Sequence, residues 1–390
     1  MGRDRNARLI RWAGIAATTV ALTACSTESA PEPGGVEATI PADEPDAGPT
    51  EPTEPPDPAE PPAEPEEAEP PPLPEDLSAE ALSTGLAAPW SVAFHGETPI
   101  VSERDAARIL ELDPDGEPRE IGTIAGVNNA VEGGLLGLAV IDDHLYAYFT
   151  TDSDNRIQRY PIGGEPGTLE LGSAEEILTG IPAGPTHNGG RIAVGPDGML
   201  YATTGDAGIV ETSQDLDSLA GKILRMTPDG DAPDDNPFDD SLVYSYGHRN
   251  PQGIGWDPDG TMYSSEFGQN TWDELNVIEP GGNYGWPIVE GIAGDGDYLD
   301  PVQQWTPSDA SPSGIAVTEN AIYIANLRGE RLRVVPLDDL TDAREFFAGE
   351  YGRLRDVVET PSGELWIITN NTDGRGDPAE DDDRILVLTY

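Results

Sequence analysis

The chain has almost no cysteine and almost no lysine. Among its 390 residues, Cys25 is the single cysteine and Lys222 the single lysine. With one cysteine no disulfide can form within the chain, and the lack of further thiols directs any metal site towards hard oxygen ligands. Basic residues are scarce as a class, with 21 Lys and Arg against 73 Asp and Glu and a net charge of −52. Because nucleic acids and anionic lipids attract positive charge, this balance argues against both as partners of the folded domain.

The basic residues at the start of the chain belong to a targeting pattern. Four arginines precede an apolar stretch, residues 12–24, that is too short to span a bilayer stably. Residues 22–25 (LTAC) have the form of a bacterial lipobox, in which the cysteine is acylated and becomes the new N-terminus. We therefore expect residues 1–25 to be a lipoprotein signal peptide. The lipid on Cys25 would anchor the protein to the outer face of the bacterial cell membrane. An ordinary signal peptide with an incidental cysteine is the alternative.

Residues 26–78 have a composition typical of a disordered linker. They contain 16 Pro and 16 Asp or Glu but no Lys or Arg. Prolines favour the extended polyproline II conformation, and so few apolar residues cannot offset the entropy lost on ordering. We predict a stiff, self-repelling stalk that has no chemistry of its own. The folded part then spans residues 79–390, enough for one large all-β domain or two small ones.

Residues 79–390 contain a weak internal repeat. Short apolar runs recur, and marks placed at residues 91, 138, 192, 254, 315 and 356 are separated by 47, 54, 62, 61 and 41 residues. Several runs are followed by a turn, such as residues 195–198 (GPDG) or 257–260 (DPDG), and then by a second apolar run. Such turns are typical of β-hairpins, because Pro presets one backbone dihedral and Gly supplies a positive one. The pattern predicts an all-β fold, a six-bladed β-propeller of four-stranded antiparallel blades. A large sandwich or two β domains are the alternatives.

Of the four histidines, His187 has the sequence surroundings of a functional residue. It is followed by Asn-Gly-Gly, which allows a ligand to approach the backbone closely. Asp206 lies 19 residues later, just after an apolar run. If the two segments belong to neighbouring strands of one blade, the carboxylate reaches the imidazole, fixes its tautomer and raises the basicity of its second nitrogen. A structural hydrogen-bonding role for His187 is an equally weighted alternative.

Three arginines lie on turn-rich segments beside glycines. Arg249 and Asn250 precede a proline and form a fork of hydrogen-bond donors suited to an anion. Arg353 and Arg355 alternate along the start of an apolar run, so both are predicted to point to the same side. These loops together predict one central anionic ligand ringed by repeated units. Pairing of the arginines with surface carboxylates is the alternative.

Residues 266–274 (EFGQNTWDE) and 282–287 (GNYGWP) are rich in oxygen donors. Calcium takes six to eight oxygen ligands, many of them backbone carbonyls in tight loops. The spacing does not match an EF-hand, so composition alone makes this segment a candidate Ca²⁺ site. A solvated acidic loop is the alternative.

The motifs taken together resemble those of the soluble quinoprotein glucose/sorbosone dehydrogenases, also called aldose sugar dehydrogenases. The resemblance covers residues 84–390 and implies a six-bladed propeller that uses pyrroloquinoline quinone (PQQ) and Ca²⁺ to oxidise an aldose at its anomeric carbon to the lactone. The segments that carry it are residues 132–137, 187–191, 247–253, 282–287, 311–314, 352–356 and 372–376.

The resemblance also implies roles around the quinone. It makes His187 the general base and Asp206 its orienting partner, with Arg249 near the reacting carbonyl as well. The positions matched to quinone contacts are Arg249, Asn250, Arg353 and Arg355.

For calcium, the resemblance implies two sites. Gly268 and Gln269 match the loop whose backbone carbonyls hold the cofactor-bound ion. Glu274 and the carbonyl of Tyr284 resemble ligands of a second, structural ion.

Two cofactor-binding positions depart from the family pattern. Glu132 stands where the family often has Gln, and Arg328 stands where it has Lys, which keeps the charge but not the geometry. The sequence leaves open which sugar is oxidised and which acceptor takes the electrons. Two rival functions remain. One is a cell-surface propeller that binds glycans or a protein partner without catalysis. The other, a calcium-dependent lactonase, ranks last, because it would need a carboxylate-rich metal centre and no ring of arginines.

Overall fold

The structure, a computed structural model, describes residues 73–294 and 296–389. The predicted signal peptide, the lipidation site Cys25 and most of the predicted linker lie outside these residues. Within the described part the regular elements are 25 β-strands, numbered along the chain, and one short 3₁₀ helix, Val210–Gln214. No helix in this part is both long and apolar enough to cross a bilayer.

The strands form six antiparallel sheets that correspond to the six predicted blades. Blade 1 contains β2 (Pro89–His95), β3 (Thr98–Glu103), β4 (Arg108–Leu112) and β5 (Pro118–Thr123). Blade 2 contains β6 (Leu135–Ile141), β7 (His144–Thr150), β8 (Asn155–Gly163) and β10 (Glu175–Ile181), and the short β9 (Glu170–Leu171) pairs with β8. Blade 3 contains β11 (Ile192–Val194), β12 (Leu200–Thr204), β13 (Lys222–Met226) and β14 (Val243–Tyr246). Blade 4 contains β15 (Pro251–Trp256), β16 (Met262–Glu266), β17 (Asp273–Ile278) and β18 (Gln303–Trp305). Blade 5 contains β19 (Pro312–Val317), β20 (Ala321–Asn326), β21 (Arg331–Pro336) and β22 (Arg344–Phe346). Blade 6 contains β23 (Leu354–Glu359), β24 (Leu365–Thr369), β25 (Ile385–Thr389) and β1 (Ser78–Ser83).

The repeat marks found in the sequence fall in the first strand of each blade. Residues 91, 138, 192, 254, 315 and 356 lie in β2, β6, β11, β15, β19 and β23. The predicted turns join the first two strands of their blades, as residues 195–198 do between β11 and β12. The six-bladed propeller predicted from the sequence is therefore confirmed.

Blade 6 is completed by a strand from the other end of the domain. β1 pairs antiparallel with β25, from Ser78 opposite Thr389 to Ser83 opposite Ile385. The strand begins one residue before the predicted domain start at 79. Ahead of it, Leu73 and Leu77 pack against the core shared by blades 5 and 6. This arrangement closes the ring, because the first and last strands of the domain share one sheet.

Strand direction places many loops at one end of the propeller. In an antiparallel blade, the chain enters the first strand at the same end at which it passes from the second strand to the third. The entry loops and the second-to-third-strand loops of all six blades therefore share one end, which we call the site end. His187, Arg249 and Arg353 lie in entry loops, and Asp206 and Gly268 lie in second-to-third-strand loops. Loops are suited to carry function on such a scaffold.

Buried polar groups tie the first strands together around the propeller axis. The guanidinium of Arg191, at the start of blade 3, donates to Asp356 of blade 6 over 2.6 Å. The same guanidinium stacks on the indole of Trp90 in blade 1, 4.2 Å from the ring centroid. Arg191 and Asp356 thus have a structural role between blades.

Candidate active site

The structure brings His187 and Asp206 together, as their spacing predicts. Nδ1 of His187 lies 2.7 Å from Oδ1 of Asp206. The carboxylate also accepts hydrogen bonds from the Gly208 amide (2.7 Å) and from the indole nitrogen of Trp286 (2.9 Å). Burial alone would raise the pKa of Asp206, but hydrogen bonds from His187, Gly208 and Trp286 hold it below its ordinary value. Asp206 is therefore an ionised acceptor for the imidazole.

Arg249 determines which nitrogen of His187 is free to act as a base. Nη2 of Arg249 lies 2.8 Å from Nε2 of His187. A guanidinium is only a donor, so Nε2 must be the acceptor and the ring proton must sit on Nδ1, facing Asp206. This is the tautomer in which Nε2 can take a proton from a ligand that displaces or shares the Arg249 contact.

The backbone of His187 is held in an unusual conformation. Its φ is 59°, in the left-handed region that few residues with a side chain adopt. The backbone amide of His187 donates to the Glu132 carboxylate over 3.1 Å, and the backbone carbonyl of His187 accepts from the amide of Ala207. A Cβ on Gly205 would lie 2.0 Å from that carbonyl oxygen, so glycine is required there. Strain of this kind persists where the surroundings over-determine the backbone.

A cavity rimmed by arginines opens beside this pair. Its lining brings together two predicted cofactor residues, Glu132 and Asn250, with the predicted carboxylate-binding residue Arg355. The full lining is Trp90, Arg104, Glu132, Asn188, Gly189, Asn250, Gln252, Phe267, Arg355 and Arg375.

Arg355 and Arg353 are not equivalent. Arg355 lines the cavity and faces neutral groups, with Nη1 3.2 Å from the Ser313 hydroxyl. Burial and the neighbouring arginines place its pKa well below its ordinary value. Arg353 does not line the cavity and lies 3.7 Å from Asp373. The strand register is irregular between Leu354 and Asp356, so simple alternation does not set the directions of the two side chains.

Two arginines of this cluster were not among the sequence candidates. Arg104 and Arg375 both line the cavity. Arg375 bridges Asp373 (2.7 Å) and Glu132 (3.2 Å), and Arg104 lies 3.9 Å from the same Asp373. Segment 372–376 carried a sequence signal for Arg375, but Arg104 follows β3 without any motif. Arg328, in contrast, is exposed in the turn between β20 and β21 and does not line the cavity.

The donors of this cluster fit a polycarboxylate such as PQQ. Among the described residues, buried nitrogens of Arg249, Arg353, Arg355 and Asn370 have no hydrogen-bond partner. Buried donors without partners are costly, so such a set calls for an anionic acceptor. The carboxylates that pair with the arginines of this cluster are Asp105, Glu132 and Asp373, and of the three only Asp373 has a fully buried side chain.

The predicted calcium segment forms a buried acidic region in blade 4. Glu266 and Glu274 are cross-strand neighbours in β16 and β17. Glu266 accepts from the imidazole of His248 (2.8 Å) and from the backbone amide of Arg249. Burial, reinforced by the charge of Glu266, raises the pKa of Glu274. Burial also raises the pKa of Asp273 to about 6.

The calcium prediction rests on carbonyl oxygens rather than on a cluster of carboxylates. In the described part of the chain, no group of three His, Cys, Asp or Glu side chains is placed to hold a metal ion. No described residue donates to the carbonyl oxygens of Gly268 or Gln269. Hard oxygen donors left free in a tight loop fit Ca²⁺. The ring of Tyr284 stacks on His248 at 4.6 Å, and its hydroxyl donates to the carbonyl of Val277.

Comparison with known proteins identifies the family. A family model described as glucose / sorbosone dehydrogenase matches residues 86–385. The PQQ-bound structure of aldose sugar dehydrogenase from Streptomyces coelicolor is 50% identical, with a TM-score of 0.77, over 81% of this chain and 98% of that chain. Aldose sugar dehydrogenase YliI of Escherichia coli is 27% identical over 76% of this chain and 91% of its own length. Quinoprotein glucose dehydrogenase B of Acinetobacter calcoaceticus is 34% identical over 51% of this chain and 49% of its own length. The chain therefore belongs to the glucose/sorbosone dehydrogenase family.

Proposed function

We propose that this chain is a calcium-dependent, PQQ-dependent dehydrogenase that oxidises aldose sugars at the anomeric carbon to lactones. The observation that carries the proposal is the Asp206–His187 pair, which lies beside a cavity lined by three arginines and whose imidazole Nε2 faces Arg249. A propeller that only binds glycans would not need an oriented imidazole base next to an anion site.

His187 acts as the general base in this proposal. The anomeric hydroxyl of the sugar takes the position on Nε2 that the Arg249 guanidinium holds, and its proton passes to Nε2. The imidazolium that forms is stabilised by the ionised Asp206, 2.7 Å away on Nδ1. Arg249 keeps its bond to the Phe267 carbonyl (3.0 Å), so it stays near and stabilises negative charge that develops beside it.

The arginine cluster holds the cofactor. When bound, PQQ supplies the two-electron acceptor for the hydride from the anomeric carbon. Its carboxylates fit Arg355, Arg375 and Arg104, which line the cavity. Arg353 lies outside the lining, but it has an unpaired Nε and shares Asp373 with Arg375. Asn250 already accepts the Gly189 amide (3.0 Å) and so fixes the loop that follows His187.

Calcium fits the loop that follows β16. The carbonyl oxygens of Gly268 and Gln269 would hold the ion next to the cofactor, where it acts as a Lewis acid. Glu274 and the Tyr284 carbonyl are proposed ligands of a second ion. A divalent cation near Glu274 would offset the raised pKa that burial and Glu266 impose on this carboxyl.

The proposal is tested with the purified chain, PQQ, Ca²⁺ and a redox dye across a panel of aldoses, with the product analysed for lactone. We expect sugar-dependent dye reduction that requires PQQ and disappears with EDTA. PQQ binding without turnover of any aldose would contradict the substrate assignment, and failure to bind PQQ would favour the binding-only alternative.

We also propose that Cys25 carries the lipid that holds the protein at the outer face of the cell membrane. The support is the sequence pattern of residues 22–25, which lie outside the described residues. Replacing Cys25 by Ser should move the protein from the membrane fraction to the soluble fraction. Unchanged fractionation of Cys25→Ser would contradict lipid anchoring.

A further inference from the structure

One carboxylate accepts hydrogen bonds from most of the loop that follows β16. Oε1 of Glu290 accepts hydrogen bonds from four successive backbone amides, those of residues 269, 270, 271 and 272, at 2.7, 3.0, 3.0 and 3.2 Å. Successive amides that converge on one anion form a backbone nest.

The nest determines where the carbonyl oxygens of this loop point. The peptide bonds of residues 268–272 are trans. In a trans peptide unit the C=O of one residue and the N–H of the next point to opposite sides of the chain. Because the amides of Gln269 and Asn270 point at Glu290, the carbonyl oxygens of Gly268 and Gln269 point away from it. The carbonyl oxygens of Asn270 and Thr271 point away from Glu290 for the same reason, because the amides of residues 271 and 272 also donate to it.

The loop that carries Glu290 is itself fixed at both ends. The amide of Gly291 donates to Glu274 over 2.7 Å. At the other end the indole of Trp286 donates to Asp206, and the Gln214 amide donates to the Trp286 carbonyl over 2.8 Å. Glu290 therefore acts from a fixed position, and the same loop touches both the partner of His187 and the carbonyl-bearing loop.

We propose that Glu290 is the positioning residue of the calcium site, which turns the carbonyl oxygens of Gly268 and Gln269 outward as ligands for the ion. The inference rests on the proposed function, which assigns Ca²⁺ to this loop. Gly268 allows the loop to close this tightly, since a Cβ there would lie 1.7 Å from the Trp272 carbonyl oxygen. Residues behind metal ligands typically contribute a factor of about 10–100 in affinity.

The test is the calcium affinity of the metal-free purified chain, titrated calorimetrically with CaCl₂ in the presence of saturating PQQ. Glu290→Gln keeps the length of the side chain and one acceptor oxygen but loses the charge, and it should raise the Kd for Ca²⁺ by about 10–100-fold. Glu290→Asp keeps the charge but withdraws it from the amides, and it should also raise the Kd. It provides the same comparison if Glu290→Gln fails to fold.

Asp300→Asn is the matched control. The Asp300 carboxylate also accepts backbone amides, those of Ala293 (2.7 Å) and Gly294 (3.0 Å), but none from residues 268–272. The Asp300→Asn variant should therefore have the wild-type Kd for Ca²⁺. Wild-type affinity in the Glu290 variants, or an equal loss in Asp300→Asn, would overturn the role of Glu290 while leaving the proposed function intact. Absence of calcium binding by the wild-type chain would overturn both the calcium proposal and this inference.

Discussion

At the scale of single residues, the proposed base, His187, has three hydrogen-bonding partners. Asp206 accepts the proton on Nδ1 of His187, Arg249 donates to Nε2, and Glu132 accepts the backbone amide. The three come from different blades: Glu132 enters blade 2, Asp206 belongs to blade 3 and Arg249 enters blade 4. An imidazole held in this way changes its protonation without having to reorient.

His187→Ala tests this role directly. Loss of a general base lowers the rate by about 10²–10⁴-fold, so we expect at least that fall in kcat, with the Kd for PQQ retained. Steady-state kinetics with a dye acceptor and fluorescence titration with PQQ measure the two quantities. His144→Ala is the control, since His144 is the first residue of β7, at the end of the blade opposite the site end. A wild-type rate for His187→Ala would exclude His187 as the base.

The arginines of the cavity give a second residue-scale prediction. Charge-assisted hydrogen bonds contribute about 1.5–3 kcal/mol each, so Arg375→Gln should weaken PQQ binding by about 10–100-fold. Arg328→Gln should leave the Kd for PQQ unchanged, because Arg328 is exposed and does not line the cavity. Fluorescence titration of the two variants with PQQ tests this. A loss confined to Arg328→Gln would restore the role that the family pattern implies for this position.

At the scale of elements, the only lysine holds the 3₁₀ helix to blade 3. Lys222, at the start of β13, is fully buried. Its ammonium donates to the carbonyls of Thr212, Ser213 and Ala220, at 2.8, 3.0 and 2.6 Å. The helix ends with Gln214, whose side-chain amide donates a hydrogen bond to the Trp286 carbonyl. Lys222 thus helps to position the site indirectly, because it holds the helix whose last residue contacts Trp286.

The burial of Lys222 predicts a dependence of stability on pH. Burial lowers its pKa from 10.5 to about 8. Between these values the unfolded chain binds the proton and the folded chain does not, so the contribution of Lys222 to stability rises with pH across this window. The rise amounts to about 3 kcal/mol at 1.36 kcal/mol for each pH unit. Above pH 10.5 the full contribution is present, and it is lost as the pH falls through about 8.

Lys222→Met isolates this contribution. Urea unfolding of the wild-type chain and of Lys222→Met, from pH 7 to 10.5, measures the difference in the free energy of unfolding. We expect the free energy of unfolding of the wild-type chain to increase relative to that of the variant as the pH rises. A difference that stays constant over this range would show that Lys222 has an ordinary pKa in the folded chain.

At the scale of the whole molecule, closure of the ring depends on a strand that precedes the rest of the domain. β1 supplies the outer strand of blade 6 and covers the edge of β25. An uncovered strand edge costs pairing energy and favours aggregation. The position of each site loop depends on this ring, because the site residues come from at least four blades.

Deletion of β1 tests the closure. A chain that begins at residue 84 loses the five pairs that join β1 to β25. At about 0.2–1 kcal/mol for each pair, the free energy of unfolding should fall by about 1–5 kcal/mol. The control begins at residue 73 and keeps β1. Thermal unfolding of the two chains measures the effect, and equal Tm values would show that β1 does not stabilise the ring.

The amino-acid sequence by itself determined the number of blades and the position of their first strands, because apolar runs and Pro-Gly turns are local signals. It also indicated His187 and Asp206 as partners, since both flank short strands of one hairpin. Glu132, Asn250 and Arg355 were identified through motifs, and the structure places all three in the wall of one cavity.

The tertiary structure alone decided the rest, because those contacts join distant parts of the chain. β1 completes a sheet more than 300 residues away, a pairing that no local pattern indicates. Arg104 joins the cavity while Arg328 does not, since blade geometry decides which loop reaches the centre. Glu290 has no motif, and its role follows only from the four amides that meet its carboxylate. A sequence pattern specifies strands and turns, but the convergence of side chains depends on the ring that those strands build.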